Sequence, residues 1–387
     1  MSARERVKIK KEMYYWAFNE SQKEKEEIIN KFPKITEWIK GDLAPTFKQL
    51  ESFAKFLKIP FGYLFLEIPP ETDIMEVEFR SINNKLPFMS KNLKDTITAM
   101  DIKRNWMSDY RRELGWGKLA IIKKFKKERK NIIKNDALLA KTLLGLKTNW
   151  FNEVKNYGEA YNFLKEKLET NGIIVMQNGI VGNNTRRKLD IIEFRAFMLY
   201  DDIAPIIFIN NNDSLGGKIF SLVHEYVHVL FEQEDLLLKE DTFKLKENEG
   251  YINQITAEFL MPTECIQLNW DQNKDALEQI NRISNMLKVS ETALAIKLKE
   301  LKLINKVLLD EIINEGIRNF ENRTYKDKAD GGDFYNTFNS RISPTFTQAV
   351  IRSTEAGNTA YSYAFRLLDG IRGRTYDEIK ERFVPYG

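Results

Sequence analysis

The chain has 387 residues and a formal net charge of +4, from 60 basic and 56 acidic side chains. A charge this close to balance argues for neither a nucleic acid nor a membrane surface as the partner of the whole chain. The single cysteine excludes an internal disulfide framework. No apolar run is long enough for a transmembrane helix, and the first residues lack the apolar core of a signal peptide. We therefore expect a cytoplasmic protein of two or three domains that does not contact a membrane.

The first predicted element is a helical module at residues 1–70, which ends at two consecutive prolines. The segments Trp38–Gly41, Ala44–Leu57 and Ile59–Phe65 resemble the second half of a repressor-type (Xre-like) helix-turn-helix domain. In such domains the helix before the Trp-x-x-Gly turn enters the major groove of DNA. The resemblance therefore makes DNA a candidate partner of this module.

The recognition helix of this module is predicted to be degenerate. Only residues 28–37 are available for this helix ahead of Trp38, which is several residues shorter than usual, and Pro33 interrupts them. A short helix that is broken by proline should read base edges poorly. Two interpretations of the module stay open, DNA binding and a protein contact or dimerisation, and no individual DNA-binding residue is assigned.

A helical connecting region is predicted at residues 71–170, with amphipathic helices at Leu93–Arg112 and Tyr157–Thr170. Within this region, residues 118–130 are strongly basic and include one aromatic side chain. The pattern favours a solvated helix face, and a patch that contacts phosphate groups is the alternative.

A sheet is predicted to begin at Gly172–Met176 and to continue through two strands, Phe194–Tyr200 and Ala204–Asn210, which the acidic turn Asp201–Asp202 joins. The polar residues 211–214 that follow offer N-cap oxygens for a helix. Apolar side chains wrap much of that helix, so it is predicted to be buried.

The two histidines of the chain, His224 and His228, lie four residues apart on this helix, with Glu225 between them. Positions i and i+4 share one helix face, so both imidazoles can reach a single point. The His-Glu-x-x-His pattern is typical of zinc proteases, in which the histidines bind the metal and the glutamate handles the protons of the bound water. An accidental pair on an amphipathic helix is the alternative, but the chain has no other histidines from which this spacing would arise by chance.

A zinc site of this kind needs a third protein ligand and one open position for water. No third histidine exists and Cys265 is the only thiol, so a carboxylate is expected. We favour Glu249, which is predicted to open a second helix that ends near Pro262. Asn253 lies one turn further on, where its amide is expected to hydrogen-bond a ligand imidazole. The competing carboxylates, interpreted as solvated or linker charges, are Glu232, Glu234, Glu247 and Glu258.

The stretch from Gly179 to Pro262 resembles the ImmA/IrrE family of metallopeptidases. The run Glu249–Pro262 matches the family pattern at its glutamate, its asparagine and its proline. Residues 179–190 and 193–197 also resemble a long-chain branch of the family in which a repressor-like helix-turn-helix precedes the peptidase. The resemblance implies a single-zinc enzyme.

The predicted activity is that of an endopeptidase with one zinc ion per chain, in which Glu225 takes the proton of the attacking water and passes it to the leaving amine. The developing oxyanion needs a donor besides the metal, and Arg195, Tyr200 and Tyr251 are candidates. An extended substrate is expected to pair with an edge strand near residues 194–210. The resemblance implies that the substrate is a partner protein, such as a repressor or antitoxin, cut in a stress, phage or mobile-element response.

The C-terminal part of the chain is predicted to be helical. Residues 280–298 form a predicted helix, turn and helix, which resembles a bihelical segment of the family and is interpreted as packing rather than as a second DNA reader. Asp330–Tyr335 is interpreted as a tight glycine turn, since the ligand spacing of a calcium loop is absent. Further helices are expected from about Thr345 and Ala360.

The predicted fold class is α+β: a helical repressor-like N-terminal module, a zincin-like metallopeptidase domain with a small mixed sheet and the His-Glu-x-x-His helix, and a helical C-terminal extension. The predicted domains are residues 1–70, 71–170, 171–305 and 306–387. The alternative to the enzyme is a DNA- or protein-binding transcriptional regulator whose zinc fold acts as a sensor with little proteolysis.

Overall fold

Helices and one small mixed sheet make up the fold, which confirms the α+β prediction. The computed structural model describes residues 6–21, 23, 25–57, 59, 61–66, 68, 79–80, 89–232, 242–324, 338 and 340–383. Of these, the residues up to 68 together with 89–95 form one compact unit, and the remaining ones form a second. The four domain boundaries drawn from the sequence stay predictions.

The first unit is a cluster of short helices around an aromatic core. Its elements are α1 (Lys11–Ser21), α2 (Lys25–Lys31), α3 (Ile35–Lys40), α4 (Phe47–Leu57) and a 3-10 helix (Phe61–Phe65). Phe53 of α4 meets the rings of Tyr14, Phe32 and Trp38, with ring centroids 5.4 to 6.4 Å apart. Such aromatic contacts contribute beyond the burial of their area.

Pro33 separates α2 from α3, so residues 28–37 do not form one continuous helix. Trp38 lies inside α3 and is buried. Gly41 ends α3 with a φ of 84°, a left-handed conformation that glycine adopts without steric penalty. The helix interruption agrees with the sequence prediction, whereas DNA binding by this unit stays untested.

The sheet of the second unit brings together strands that are distant in sequence. Its strands are β1 (Phe79–Arg80), β2 (Ile174–Asn178), β5 (Ala196–Leu199) and β6 (Ile206–Asn210), in the order β1-β5-β6-β2, and β3 (Ile180–Val181) pairs with β4 (Asn184–Lys188) in a separate hairpin. Strands β2 and β6 are parallel, while β5 is antiparallel to both β6 and β1. The backbone N–H groups of Ile203 and Ala204 donate to the Asp201 carboxylate, which closes the predicted acidic turn between β5 and β6.

The expectation of an edge strand near residues 194–210 is wrong for most of that segment. Strand β6 lies between β5 and β2, and β1 covers β5 at Ala196 and Phe197. The backbone groups of β6, and those of β5 at Ala196 and Phe197, are therefore already paired within the sheet.

Helices surround the sheet and continue to the end of the described chain. They are α5 (Lys91–Glu113), α6 (Ala120–Glu128), α7 (Ile133–Leu143), a 3-10 helix (Trp150–Glu153), α8 (Tyr157–Thr170), α9 (Leu215–Phe231), α10 (Thr242–Leu260), α11 (Thr263–Asn269), α12 (Ala276–Leu287), α13 (Glu291–Glu300), α14 (Lys306–Thr324), α15 (Pro344–Glu355), α16 (Tyr361–Leu367) and α17 (Arg374–Phe383).

The predicted bihelical segment corresponds to α12 and α13. Asp330–Tyr335 lies outside the described residues. Within the described part of the chain, no helix combines the length and apolar character that crossing a membrane requires.

One face of the sheet and α9 share a hydrophobic core. Val175, Ala196 and Ile207 of the sheet belong to the same buried cluster as Leu222 and Val227 of α9. Side chains alternate between the two faces of a strand, so this packing fixes which residues of β2, β5 and β6 point towards α9. The core therefore determines the position of the helix that carries both histidines.

Candidate metal centre

Helix α9 begins at a closely packed N-terminus directly after β6. Ser214 caps the helix, because its Oγ accepts the backbone N–H of Gly217 (3.1 Å). A Cβ atom on Gly217 would lie 2.4 Å from Asp213 Oδ2, and Arg195 holds the Asp213 carboxylate at 2.8 Å. These contacts fix the direction in which α9 leaves the sheet.

The middle of α9 places three polar side chains in the core. His224, Glu225 and His228 are 1, 2 and 3 % exposed. Buried imidazoles and carboxylates are costly unless polar groups or a cation compensate them. The burial predicted for this helix is thus observed, and the two histidines lie where a ligand would be protected from bulk water.

Three metal-binding groups converge from α9 and α10. The Nε2 atoms of His224 and His228 lie 3.0 Å apart. From α10, Glu249 Oε1 lies 3.2 Å from His224 Nε2, and Glu249 Oε2 lies 3.3 Å from His228 Nε2. Tetrahedral zinc with ligands at about 2.0–2.1 Å separates its ligand atoms by roughly 3.3–3.4 Å, so these spacings fit a single ion. Among the described residues, these three form the group whose ligand atoms lie close enough to hold a metal.

Glu249 is electrostatically matched to the two imidazoles. Burial alone raises the pKa of its carboxyl group, but the hydrogen bonds and charges of His224 and His228 outweigh burial and lower the pKa well below its usual range. Glu249 is therefore a carboxylate at neutral pH, which is the form that binds a metal ion.

The helix that carries Glu249 starts earlier than the sequence predicts. Glu249 was expected to open this helix, but α10 begins at Thr242 and places Glu249 in its interior. The end of the helix agrees better with the prediction, since α10 stops at Leu260 and Pro262 precedes the next helix.

Asn253 contacts a different partner from the predicted one. Its amide was expected to bond a ligand imidazole, but Asn253 Nδ2 donates to Glu249 Oε1 at 3.3 Å, one turn back along α10. The amide therefore holds and orients the carboxylate that would bind the metal.

The three candidates for the oxyanion donor make hydrogen bonds elsewhere. The Arg195 guanidinium binds Asp213, and the Tyr200 hydroxyl donates to Asp202 at 2.5 Å. The Tyr251 hydroxyl donates to Asp136 at 2.9 Å; burial together with this carboxylate raises the pKa of Tyr251 above its usual value. Their role as oxyanion donors stays a prediction.

The rival carboxylates have other partners or lie outside the described side chains. Glu232 binds Lys118 and Lys126, and Glu258 binds Thr263 and Lys297. Glu234 lies outside the described residues, and for Glu247 the structure describes the helical backbone alone.

The basic segment packs beside the C-terminal end of α9. In α6, Ile122 and Phe125 are buried against the core, whereas Lys123, Lys124 and Lys127 are exposed. This distribution is that of an amphipathic helix with a solvated basic face. Contact of that face with phosphate groups stays a prediction.

Sequence reasoning missed Asp136, a carboxylate with no exposed surface in the first turns of α7. Its Oδ1 accepts the backbone N–H of Lys130 at 2.8 Å, and its Oδ2 accepts the Tyr251 hydroxyl. An acidic residue near a helix N-terminus is ordinary in sequence. The pairing with Tyr251 joins segments far apart in the chain, and no local pattern encodes it.

Comparison with known protein families gives a match over the part of the chain that contains this site. Residues 172–299 match the family model described as an IrrE N-terminal-like domain (Peptidase_M78). Over these residues the chain is similar to the ImmA/IrrE family of metallopeptidases. The matched segment contains β2 to β6 and α9 to α13, and therefore all three metal-binding groups. The match confirms the resemblance predicted from the sequence, although it does not extend to the N-terminal helix-turn-helix.

A second family model, described as a domain of unknown function (DUF8813), matches residues 342–382. This segment contains α15, α16 and most of α17. No curated protein and no solved structure matches the chain.

Proposed function

We propose that the chain is a zinc-dependent endopeptidase in which His224, His228 and Glu249 hold one zinc ion. The observation that carries the proposal is the spacing of 3.0 to 3.3 Å among the imidazole nitrogens and the carboxylate oxygens. Two nitrogens and one oxygen are a donor set that zinc accepts in catalytic sites with an open position. The match of residues 172–299 to a metallopeptidase-family model supports the same function.

Glu225 acts as the general base in this proposal. A bound zinc ion would supply polarisation of the attacking water and of the scissile carbonyl. Glu225 accepts the proton of that water, and the same carboxyl group then donates it to the nitrogen of the leaving amine. The backbone position of Glu225, adjacent to His224 on a buried helix, supports this role because it keeps the carboxylate out of bulk water.

The substrate is proposed to be a partner protein of the repressor or antitoxin type. Its support is the family relationship alone. The test is co-expression of the chain with the proteins encoded beside its gene, comparing wild type with Glu225→Gln. Mass spectrometry should find a partner that is cut by the wild type and intact with the variant. An identical set of intact partners in both strains contradicts the proposed proteolysis.

A regulator that senses zinc is the competing function. The compact helical unit before the peptidase domain favours it, because small helical modules commonly bind DNA or protein. The two functions are compatible if the N-terminal unit brings the peptidase to its substrate.

A further inference from the structure

Asp136 is a buried carboxylate whose two oxygens are both used. Oδ1 accepts the Lys130 N–H at 2.8 Å, and Oδ2 accepts the Tyr251 hydroxyl at 2.9 Å. Hydrogen bonds to a charged group are about twice as strong as those between neutral groups, and losing one inside a protein leaves a buried group unsatisfied. The pair therefore ties α7 to α10 at one defined point.

Tyr251 lies two residues beyond Glu249 on α10. Residues two apart on a helix point to nearly opposite sides, so Tyr251 faces away from the metal-binding carboxylate. The Tyr251 ring also meets Phe231 edge-on, with centroids 5.9 Å apart. Phe231 belongs to the last turn of α9, one turn after His228. Tyr251 thus contacts both the α7 anchor and the helix that carries the histidines.

The segment of α10 around Glu249 needs such an anchor. Gly250, between Glu249 and Tyr251, has open space where a side chain would be, and glycine in a helix interior costs about 1 kcal/mol relative to alanine. The Glu249 side chain itself remains 32 % exposed. Asn253 reaches it with one hydrogen bond of 3.3 Å. Contacts on the far side of α10 are therefore needed to fix its rotation here.

We propose that Asp136 is a positioning residue of the metal centre, which acts through Tyr251 to fix the rotation of α10 that brings Glu249 onto His224 and His228. The inference rests on the proposed metal site and deepens it. It also gives Tyr251 a function other than donation to an oxyanion. Residues behind metal ligands typically change metal affinity by about 10- to 100-fold when they are removed.

The test measures zinc affinity by competition with a chromophoric chelator. Asp136→Asn and Tyr251→Phe should each weaken zinc binding by about 10- to 100-fold. Tyr251→Phe keeps the ring against Phe231 and removes only the hydroxyl, so it keeps the test informative if Asp136→Asn does not fold. Glu258→Gln is the matched control, because Glu258 is a largely buried, hydrogen-bonded carboxylate of the same helix. It should leave the affinity within about twofold.

A double-mutant cycle separates positioning from general loosening of the fold. In a Glu249→Ala background, Tyr251→Phe should have no further effect on zinc affinity, because the group that it positions is gone. The inference is overturned if Tyr251→Phe weakens zinc binding by the same factor in the wild-type and Glu249→Ala backgrounds. It is also overturned if Asp136→Asn and Tyr251→Phe leave the zinc affinity unchanged. If Glu249→Ala itself binds zinc like the wild type, the proposed metal site fails first, which is a separate outcome.

Discussion

Glu249 and His224 belong to different helices, yet Glu249 Oε1 lies 3.2 Å from His224 Nε2. The packing of α9 against α10 therefore assembles the ligand set, which does not exist in an unfolded chain. Binding of a metal to the folded state alone adds its binding free energy to the stability of the fold. Ligand substitutions should consequently change both metal content and stability in the presence of metal.

Replacing either histidine should remove the metal. We expect about one zinc ion per wild-type chain, and loss of the ion in His224→Ala and His228→Ala, because two of three ligands cannot retain it through dialysis. Metal content measured by mass spectrometry checks this. Tyr226→Phe is the control, because Tyr226 lies on the same helix as the two histidines. The substitution removes the buried hydrogen bond from the Tyr226 hydroxyl to the backbone carbonyl of Ala140 in α7 and should keep the ion. Equal zinc in the wild type and in a double histidine variant contradicts the site.

Glu249 should matter more than any other carboxylate of α10. Glu249→Gln removes the negative charge that faces the imidazoles and should weaken zinc binding by at least about tenfold. Glu258→Gln should lower the free energy of unfolding without this loss, because Glu258 binds Lys297 instead of the metal centre. Chelator competition and denaturant unfolding separate the two effects. Metal loss in Glu258→Gln alone would show that Glu249 is not the third ligand.

The sequence was sufficient to single out the three side chains that converge in the candidate metal centre, because their signals are local. Two histidines on one helix face and a glutamate followed by an asparagine four residues later can be recognised without a structure. The start of α10 was missed because residues 242–248 are mostly polar and resemble a linker. The partner of Asn253 was missed because the spacing places its amide one turn from Glu249 but does not give the orientation of either side chain.

The elements of the fold that depend on local sequence signals were predictable, and those that depend on contacts between distant residues were not. Ser214, β5, β6 and the pair α12–α13 follow from capping residues and from apolar periodicity. The pairing of β1 with β5 does not, because Phe79 and Phe197 are far apart in sequence and a two-residue strand has no periodicity. That pairing, together with the position of β6 between β5 and β2, made the edge-strand expectation wrong. The Asp136–Tyr251 bond is unpredictable for the same reason.

Lys141 should make the stability of the protein depend on pH in the alkaline range. Burial lowers the pKa of Lys141 to about 8, against about 10.4 for an unperturbed lysine. Between these values the unfolded chain holds a proton that the folded chain has released, so the free energy of unfolding rises with pH through this window. Below pH 8 the full cost of the buried charge remains, on the order of 3 kcal/mol at most.

Lys141→Met should therefore stabilise the protein at pH 7, and the gain should shrink as the pH approaches 10. Urea unfolding of both proteins at pH 7, 8.5 and 10 measures this difference. Lys147→Met is the control, since the Lys147 side chain is 76 % exposed and its replacement should give no pH-dependent gain. A gain from Lys141→Met that is constant across the range would mean that the lysine is not desolvated in solution.

Glu225→Gln decides between the peptidase and the regulator. The substitution keeps the volume of the side chain and leaves the three metal-binding groups in place, so the variant should bind zinc and unfold like the wild type. It should lose proteolysis, because an amide cannot accept the proton of the attacking water. Metal content, thermal unfolding and cleavage of a co-expressed partner measure these properties in one preparation.

The regulator hypothesis predicts that function depends on the N-terminal unit and on α6 instead of on Glu225. Glu225→Gln would then leave the cellular phenotype unchanged, while substitutions around Trp38 or of the exposed lysines of α6 would abolish function and flatten the salt dependence of DNA binding. We favour the peptidase, because a carboxylate placed beside two metal-binding histidines in a buried helix has little use in a module that only binds. A phenotype that survives Glu225→Gln at matched protein levels would reverse this preference.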